Sequence, residues 1–249
     1  MKAYAKVNFI LKVFPKTPQE TKHKIKSWFC LYPKLYDQVL IRNASKTTIE
    51  CKYDNQNISI NQKPILLVIE YLAKLAKCKI NLHIIIHKNI PPMSGLGGSA
   101  TDIACIINWI VKQYRLKLLL KHWKYIALYI GSDVPFFMSG YRSAWVSGYG
   151  EKVVPYTKPI PRFRIVLTGI KMSTIKVYQA MNNNYKSKVN IAKAYQSLNS
   201  KHFNKDTIYN DMWVFANKLN QRFNKLSRQL LQTKNIILSG SGGSFIEIY

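Results

Sequence analysis

The sequence predicts an α+β protein built of two lobes, and three observations carry that prediction. Its first sixty residues are mostly short stretches rich in β-branched and aromatic side chains, the mark of strands. Residues 90–102, IPPMSGLGGSATD, place three glycines beside small hydroxyl residues where one apolar segment hands over to another. A proline-bounded stretch at 155–161 then opens a second unit, which begins with a strand and ends in another glycine loop, LSGSGGS. With 249 residues, 47% of them hydrophobic and 12% aromatic, the chain can bury a sizeable core and is not of a disordered class.

The elements follow in order. YAKVNFILKVF (4–14), SWFCLY (27–32) and DQVLIRNA (37–44) read as three strands. TTIECKY (47–53) and NISI (57–60) flank a turn and read as a hairpin. Residues 63–77 form a helix with Pro64 in its first turn and an apolar face through Ile65, Val68, Ile69, Leu72 and Leu75. INLHIIIHKNI (80–90) is a strand. After the glycine loop, Ile103, Ile106, Ile107, Ile110 and Val111 recur at helical spacing over 101–116. A further helix spans 117–131, with Gly131 able to end it. Residues 141–156 read as strand, turn, strand. In the second unit, 162–170 is a strand and 173–182 a helix capped by Ser173 or Thr174. Residues 182–206 are polar with little periodicity. Helices cover 211–223 and 224–233, and two short strands close the chain around the last glycine loop.

Charge is the unusual bulk property. Thirty-eight Lys and Arg face 11 Asp and Glu, a net charge of +27, which would attract anions of any kind. The excess is spread along the chain without basic runs, so it reads as compositional background rather than a nucleic-acid surface. Cys30, Cys51, Cys78 and Cys105 are widely spaced, as expected of buried, reduced thiols and not of a zinc site. His83 and His87 lack the companion Glu of a metalloprotease helix and read as strand histidines. The N-terminus is no convincing signal peptide and no run is long enough to cross a bilayer, so a cytoplasmic protein is expected.

The glycine loop has a chemical reading. A helix start carries unpaired N–H groups and a partial positive charge, and glycines before it let an anion approach the backbone. Ser99 and Thr101 could add hydroxyl donors. Neither a P-loop Lys nor a dinucleotide fingerprint is present, so the alternatives are a phosphate cradle and a tight strand–helix turn. Asp133, in GSDVPFF, is a scarce acid in an apolar setting and could cap the next turn or accept a proton. The loop SGSGGS (239–244) could pass close to another loop or to a ligand.

Taken together, AYAKVNF, IPPMSGLGGSATD and LSGSGGSFIEI resemble the three motifs of the GHMP kinase superfamily. KHKIKSWF, YDQV, GSDVPFF, MSTIKVY and YND extend the resemblance over nearly the whole chain. They point to the branch that phosphorylates the 2-hydroxyl of a cytidyl-diphosphate sugar alcohol in the non-mevalonate isoprenoid route. The resemblance implies a two-lobed fold, with an N-terminal lobe (1–155) like ribosomal protein S5 domain 2 and a ferredoxin-like C-terminal lobe (156–249). It implies ATP as phosphoryl donor with Mg²⁺, a cytidyl-diphosphate sugar alcohol as acceptor, and a monomer or homodimer.

Residue by residue, the resemblance makes Asp133 the catalytic base and Lys6 its charge partner. It gives ATP binding to Pro91, Pro92, Met93, Ser94, Gly95, Leu96, Gly97, Gly98, Ser99, Ala100 and Thr101, and substrate binding to Asn8, His23, Thr174 and Tyr178. His23 matches a histidine at the cytosine edge, with an ordinary surface-loop role as the alternative; for Tyr178 the alternative to a wall of the base site is helix core. Four departures stand out. Lys22 replaces an aromatic residue that stacks on the base. Ala100 replaces a serine, leaving Thr101 as the hydroxyl nearest phosphate or Mg²⁺. Residues 15–21 differ from the usual loop. The sequence ends at Tyr249, where family members continue with a helix, which implies an uncovered apolar face. The competing readings are another or degenerate GHMP kinase, and a basic nucleic-acid binder.

Overall fold

The computed structural model describes residues 1–181, 185–200 and 209–249. Ten strands and eight helices are described: β1 (Lys2–Val13), β2 (Ile25–Asn43), β3 (Thr48–Tyr53), β4 (Gln56–Asn57), α1 (Lys63–Ala76), β5 (Leu82–Lys88), α2 (Gly98–Gln113), α3 (Leu120–Tyr125), α4 (Val134–Met138), β6 (Ser143–Gly148), β7 (Lys152–Pro155), β8 (Phe163–Leu167), α5 (Thr174–Gln179), α6 (Ile191–Asn199), α7 (Met212–Leu219), α8 (Gln221–Thr233), β9 (Ile236–Leu238) and β10 (Ser244–Ile248).

Seven strands form the larger sheet, in the order β4-β3-β5-β2-β6-β7 with β1 also paired to β2. The two stretches expected as separate strands at 27–32 and 37–44 are one strand, β2. Pro33, which would break a regular ladder, is accommodated because the β1–β2 register shifts between Tyr4 and Ala5, so residues 33–35 lie in a bulge. On one edge β1 runs along β2 from Ile25 to Gln38, and on the other β6 pairs with its first part (25–30) and β5 with its last (38–43). The helices α1 and α2 cover one face through the residues their periodicity picked out: Ile65, Val68, Ile69 and Leu72 meet Ile103, Ile106, Ile107 and Ile110 over Leu82, Ile84 and Ile86. Burial of each such side chain stabilises by about 1.5–3 kcal/mol.

Several boundaries differ from expectation. Of NISI only Asn57 lies in a strand, the two-residue β4. The helix expected at 117–131 begins at Leu120 and opens into a π-helical turn, Ile126–Ile130, closed by the Gly131 N–H on the Ile126 carbonyl at 2.9 Å. The two C-terminal helices part at Asn220, whose side chain accepts the Phe223 N–H and caps α8. Within the polar 182–206 segment, the described residues include α6, capped by Asn190; residues 182–184 and 201–206 lie outside the described residues. Cys78 is exposed and Cys105 half-buried, so burial covers only Cys30 and Cys51.

The smaller sheet, β8-β10-β9, is antiparallel and packs with α5, α7 and α8 around Phe215, Phe223 and Phe245. A β-bridge between Leu11 and Asn210, and the Asp211 carboxylate on the Val13 N–H at 2.8 Å, tie this part to the end of β1. The Asn210 amide in turn bonds the Leu238 and Gly240 carbonyls, both at 2.8 Å, and so fixes the last glycine loop.

Candidate active site

The cleft is built on β1. Alternation along this strand aims Lys6 and Asn8 the same way. Both are almost fully buried, and the Lys6 ammonium donates to Asn8 Oδ1 at 2.6 Å. Asn8 donates onward to the Ser27 hydroxyl at 2.9 Å. Lys6 Nζ lies 3.1 Å from Asp133 Oδ2 and 4.7 Å from the centre of the Phe29 ring. A buried ammonium is costly unless paired, and Asp133 supplies the pair.

Asp133 arrives from the turn between the π-helical segment and α4. It occupies the N-cap position of α4, but its side chain makes no capping bond. Of the two roles open to it in the sequence, capping is therefore not the one the structure gives it; the carboxylate faces Lys6 and remains 30% exposed to the cleft.

The glycine loop forms the opposite wall. Gly97 ends it in the left-handed region at φ 76° and precedes α2 without any side-chain cap, so the first-turn N–H groups of α2 are available to an anion. Lys6 N–H donates to the Leu96 carbonyl at 3.0 Å, which joins the loop to the strand carrying the ammonium. The second glycine loop packs backbone on backbone against the first. A Cβ on Gly95 would lie 2.4 Å from the Ser239 carbonyl oxygen, and one on Gly240 would lie 2.5 Å from that of Gly95. The loop at 239–244 thus touches the other loop, one of the two partners open to it in the sequence. It also contributes to the cleft: the Ser241 and Thr174 hydroxyls bond each other at 2.7 Å at its mouth.

These parts enclose a cavity of about 380 Å³. Lys6, Asn8, Asp133, residues 91–100, Thr174 and Tyr178 all line it, so the structure gathers these expected residues in one place. Two behave differently. Thr101 is buried in α2 and does not line the cavity; at this end of the loop the neighbouring hydroxyl that does is Ser99. His23 does not line the cavity either. Its ring stacks on Tyr178 with centroids 5.9 Å apart, and its Nδ1 bonds the Phe14 carbonyl at 2.8 Å. At that separation no aromatic base fits between the two rings. Lys22 turns its ammonium to the Ala127 carbonyl, at 3.0 Å, in the π-helical turn. Desolvation lowers its pKa, and the Asp133 charge opposes that shift. Burial and the same carboxylate push the Tyr178 hydroxyl up.

Sequence reasoning missed Ile58 and Ile60, which form an apolar end of the cavity, and Lys88, which lines it beside Gly98. Lys88 was findable: Leu82, Ile84 and Ile86 mark the inward face of β5, and Lys88 continues that register. Among the described residues no group of three or more His, Cys, Asp or Glu could hold a metal ion.

Comparison with known proteins gives a coherent family. Residues 63–141 match the model of the GHMP kinases N terminal domain. The chain is 27% identical over 263 residues to the 4-diphosphocytidyl-2-C-methyl-D-erythritol kinase of Ureaplasma parvum, covering 100% of this chain and 94% of that protein. It is 32% identical over 196 residues to the enzyme of the same name from Sulfurimonas denitrificans, covering 74% and 72%. A crystal structure of 4-(cytidine 5'-diphospho)-2C-methyl-D-erythritol kinase superposes with a TM-score of 0.72 at 22% identity, over 100% of this chain and 89% of that one. No helix among the described residues is long and apolar enough to cross a membrane.

Proposed function

We infer the reaction from one premise: the chain belongs to the 4-diphosphocytidyl-2-C-methyl-D-erythritol kinases, within the GHMP kinases. It is an ATP-dependent small-molecule kinase that phosphorylates the 2-hydroxyl of 4-diphosphocytidyl-2-C-methyl-D-erythritol. The observation that carries the assignment of roles is the Lys6–Asp133 pair, 3.1 Å apart, facing the glycine loop across one cleft.

In this reading residues 1–155 carry the phosphate loop and the base, and residues 156–249 close the cleft from the far side. Ile58 and Ile60 offer an apolar surface to the nucleotide base. The α2 N-terminus and the backbone of 94–98 hold the polyphosphate, with Ser99 as the hydroxyl donor. Mg²⁺, when present with ATP, offsets phosphate charge during transfer. Asp133 accepts the proton of the acceptor hydroxyl as that oxygen attacks the γ-phosphorus. Lys6 keeps the carboxylate in place, and its ammonium steadies the negative charge that develops beside it. Asn8 fixes the Lys6 ammonium. Thr174 and Tyr178 line the acceptor end. His23 stacks on Tyr178 and Lys22 is bonded to the Ala127 carbonyl, so they serve the cytidyl group only if these contacts part.

The test is turnover of the full chain with ATP, Mg²⁺ and the diphosphocytidyl substrate, following ADP. Activity dependent on the acceptor is expected, and no ADP above the acceptor-free blank would overturn the assignment. Asp133→Asn should lower kcat by about 10²–10⁴-fold, as expected for loss of a general base, while nucleotide still binds. Unchanged turnover in that variant would remove Asp133 from the role of base.

A further inference from the structure

Beneath the glycine loop lies a charged cluster that the reaction above does not use. Lys88 ends β5 with its ammonium bonded to Asp37 of β2 and, at 2.6 Å, to Asp102 of α2. All three are buried. Asp37 Oδ1 also accepts the Asn89 and Ile90 N–H groups, at 2.6 and 2.8 Å, where the chain enters the loop. Asp102 lies just beyond the first turn of α2, where the chain leaves it. One ammonium therefore clamps the entrance of the loop to its exit. It does so directly below the loop floor, since a Cβ on Gly98 would be 3.1 Å from Lys88 Nζ.

The cluster is unbalanced. With all groups ionised, two carboxylates face one ammonium, and Asp102 Oδ1 is buried with no hydrogen-bond partner. The other titratable groups around Asp102 do not correct this. Cys105 on α2 and Cys51 on β3 are thiols whose pKa burial raises. The Met1 ammonium, felt by Cys105, is bonded to the Val39 carbonyl at 2.6 Å. Burial pushes the Asp102 carboxyl up to about 7 against the pull of Lys88, and Asp37 adds to the rise. Desolvation works to lower the Lys88 pKa, but Asp102 and Asp37 outweigh it and keep the ammonium charged.

We propose that Asp37, Lys88 and Asp102 are positioning residues that fix both ends of the phosphate loop, and that Asp102 takes up a proton when a polyphosphate binds above it. The inference rests on the kinase reading, which puts polyphosphate on this loop. Like charges disfavour one another's ionised form, so an added polyanion raises the proton affinity of the carboxylate whose Oδ1 has no partner. The proton comes from solvent and gives Asp102 a neutral carboxylic acid, leaving one carboxylate against one ammonium.

The experiment is calorimetric binding of ATPγS with Mg²⁺, whose thiophosphate stays ionised across neutral pH. The full chain and Asp102→Asn are titrated in two buffers of different ionisation enthalpy. Proton uptake by the wild type and none by the variant is expected. Above neutrality, wild-type affinity should fall by up to about tenfold per pH unit relative to the variant, the slope of one linked proton. A purely structural Asp102 would change affinity without changing its pH slope. Equal proton uptake in both proteins, with nucleotide bound, overturns the inference alone. Absence of nucleotide binding to the wild type overturns the kinase reading and the inference with it. Should Asp102→Asn fail to fold, the infrared difference spectrum of the wild type decides: a protonated carboxyl C=O band must appear on nucleotide addition, and its absence refutes the proposal.

Discussion

Gly95→Ala tests whether the two glycine loops are locked together by backbone contact. Gly95 sits at φ +78°, where an L side chain costs about 1–2 kcal/mol. Its new methyl would also lie 2.4 Å from the Ser239 carbonyl oxygen and 2.6 Å from that of Gly242. Neither is a side-chain end that can swing aside, so overpacking adds about 1–3 kcal/mol. The total, about 2–5 kcal/mol, corresponds to a loss of about 4–20 °C in Tm for a chain of this size. Gly140→Ala is the control, because Gly140 has φ +72° and nothing within 4 Å of the added carbon. It carries the dihedral cost alone, about 1–2 kcal/mol. Thermal unfolding followed by circular dichroism measures both. The Gly95 variant should also raise the KM for ATP, and the Gly140 variant should not. Equal midpoint losses would show that the loops are not in backbone contact.

Three further outcomes follow from the site. Lys6→Met should reduce kcat by about 10²–10³-fold with a smaller change in KM, as for loss of one preorganised electrostatic partner; steady-state kinetics on both substrates checks the split. Ser99→Ala should raise the KM for ATP severalfold, whereas Thr101→Val should alter stability and leave that KM near its starting value; the reverse order would restore Thr101 to the cleft. Glu20 is held down to about 2 by Lys24, the Thr17 N–H and Tyr149. Because its folded pKa is depressed, its ordering of residues 17–24 is complete above the free value of 4.5 and fades as pH falls toward about 2. Amide protection in that loop, measured as exchange relative to the intrinsic rate at each pH, should therefore fall on acidification in the wild type, while Glu20→Gln should show little protection already at neutral pH.

Much of this architecture was legible in the sequence because one face of most elements is buried. The isoleucines of α2 and the inward alternation of β5 announce themselves by period alone. The glycine loop was legible as the hand-over from strand to helix, while the residues alone left both a phosphate cradle and a tight turn open. Lys6 and Asp133 were legible only as parts of a family pattern; nothing in local spacing joins residues 127 positions apart. The continuity of β2 was hidden by Pro33, whose missing N–H is harmless in a bulge that only the β1 register reveals. Asp37 and Asp102 were hidden for a different reason. Each stands in a quoted motif, but a buried charge makes sense only once its counter-ion is located across the sheet.

The π-helical turn at Ile126–Ile130 holds one residue more than an α-turn needs. Were the same residues wound into an ordinary α-turn instead, everything after them would swing by about 100° around the helix axis. Asp133 follows within three positions of that turn, so the angular setting of the carboxylate opposite Lys6 depends on an irregularity that a repair toward ideal geometry would erase.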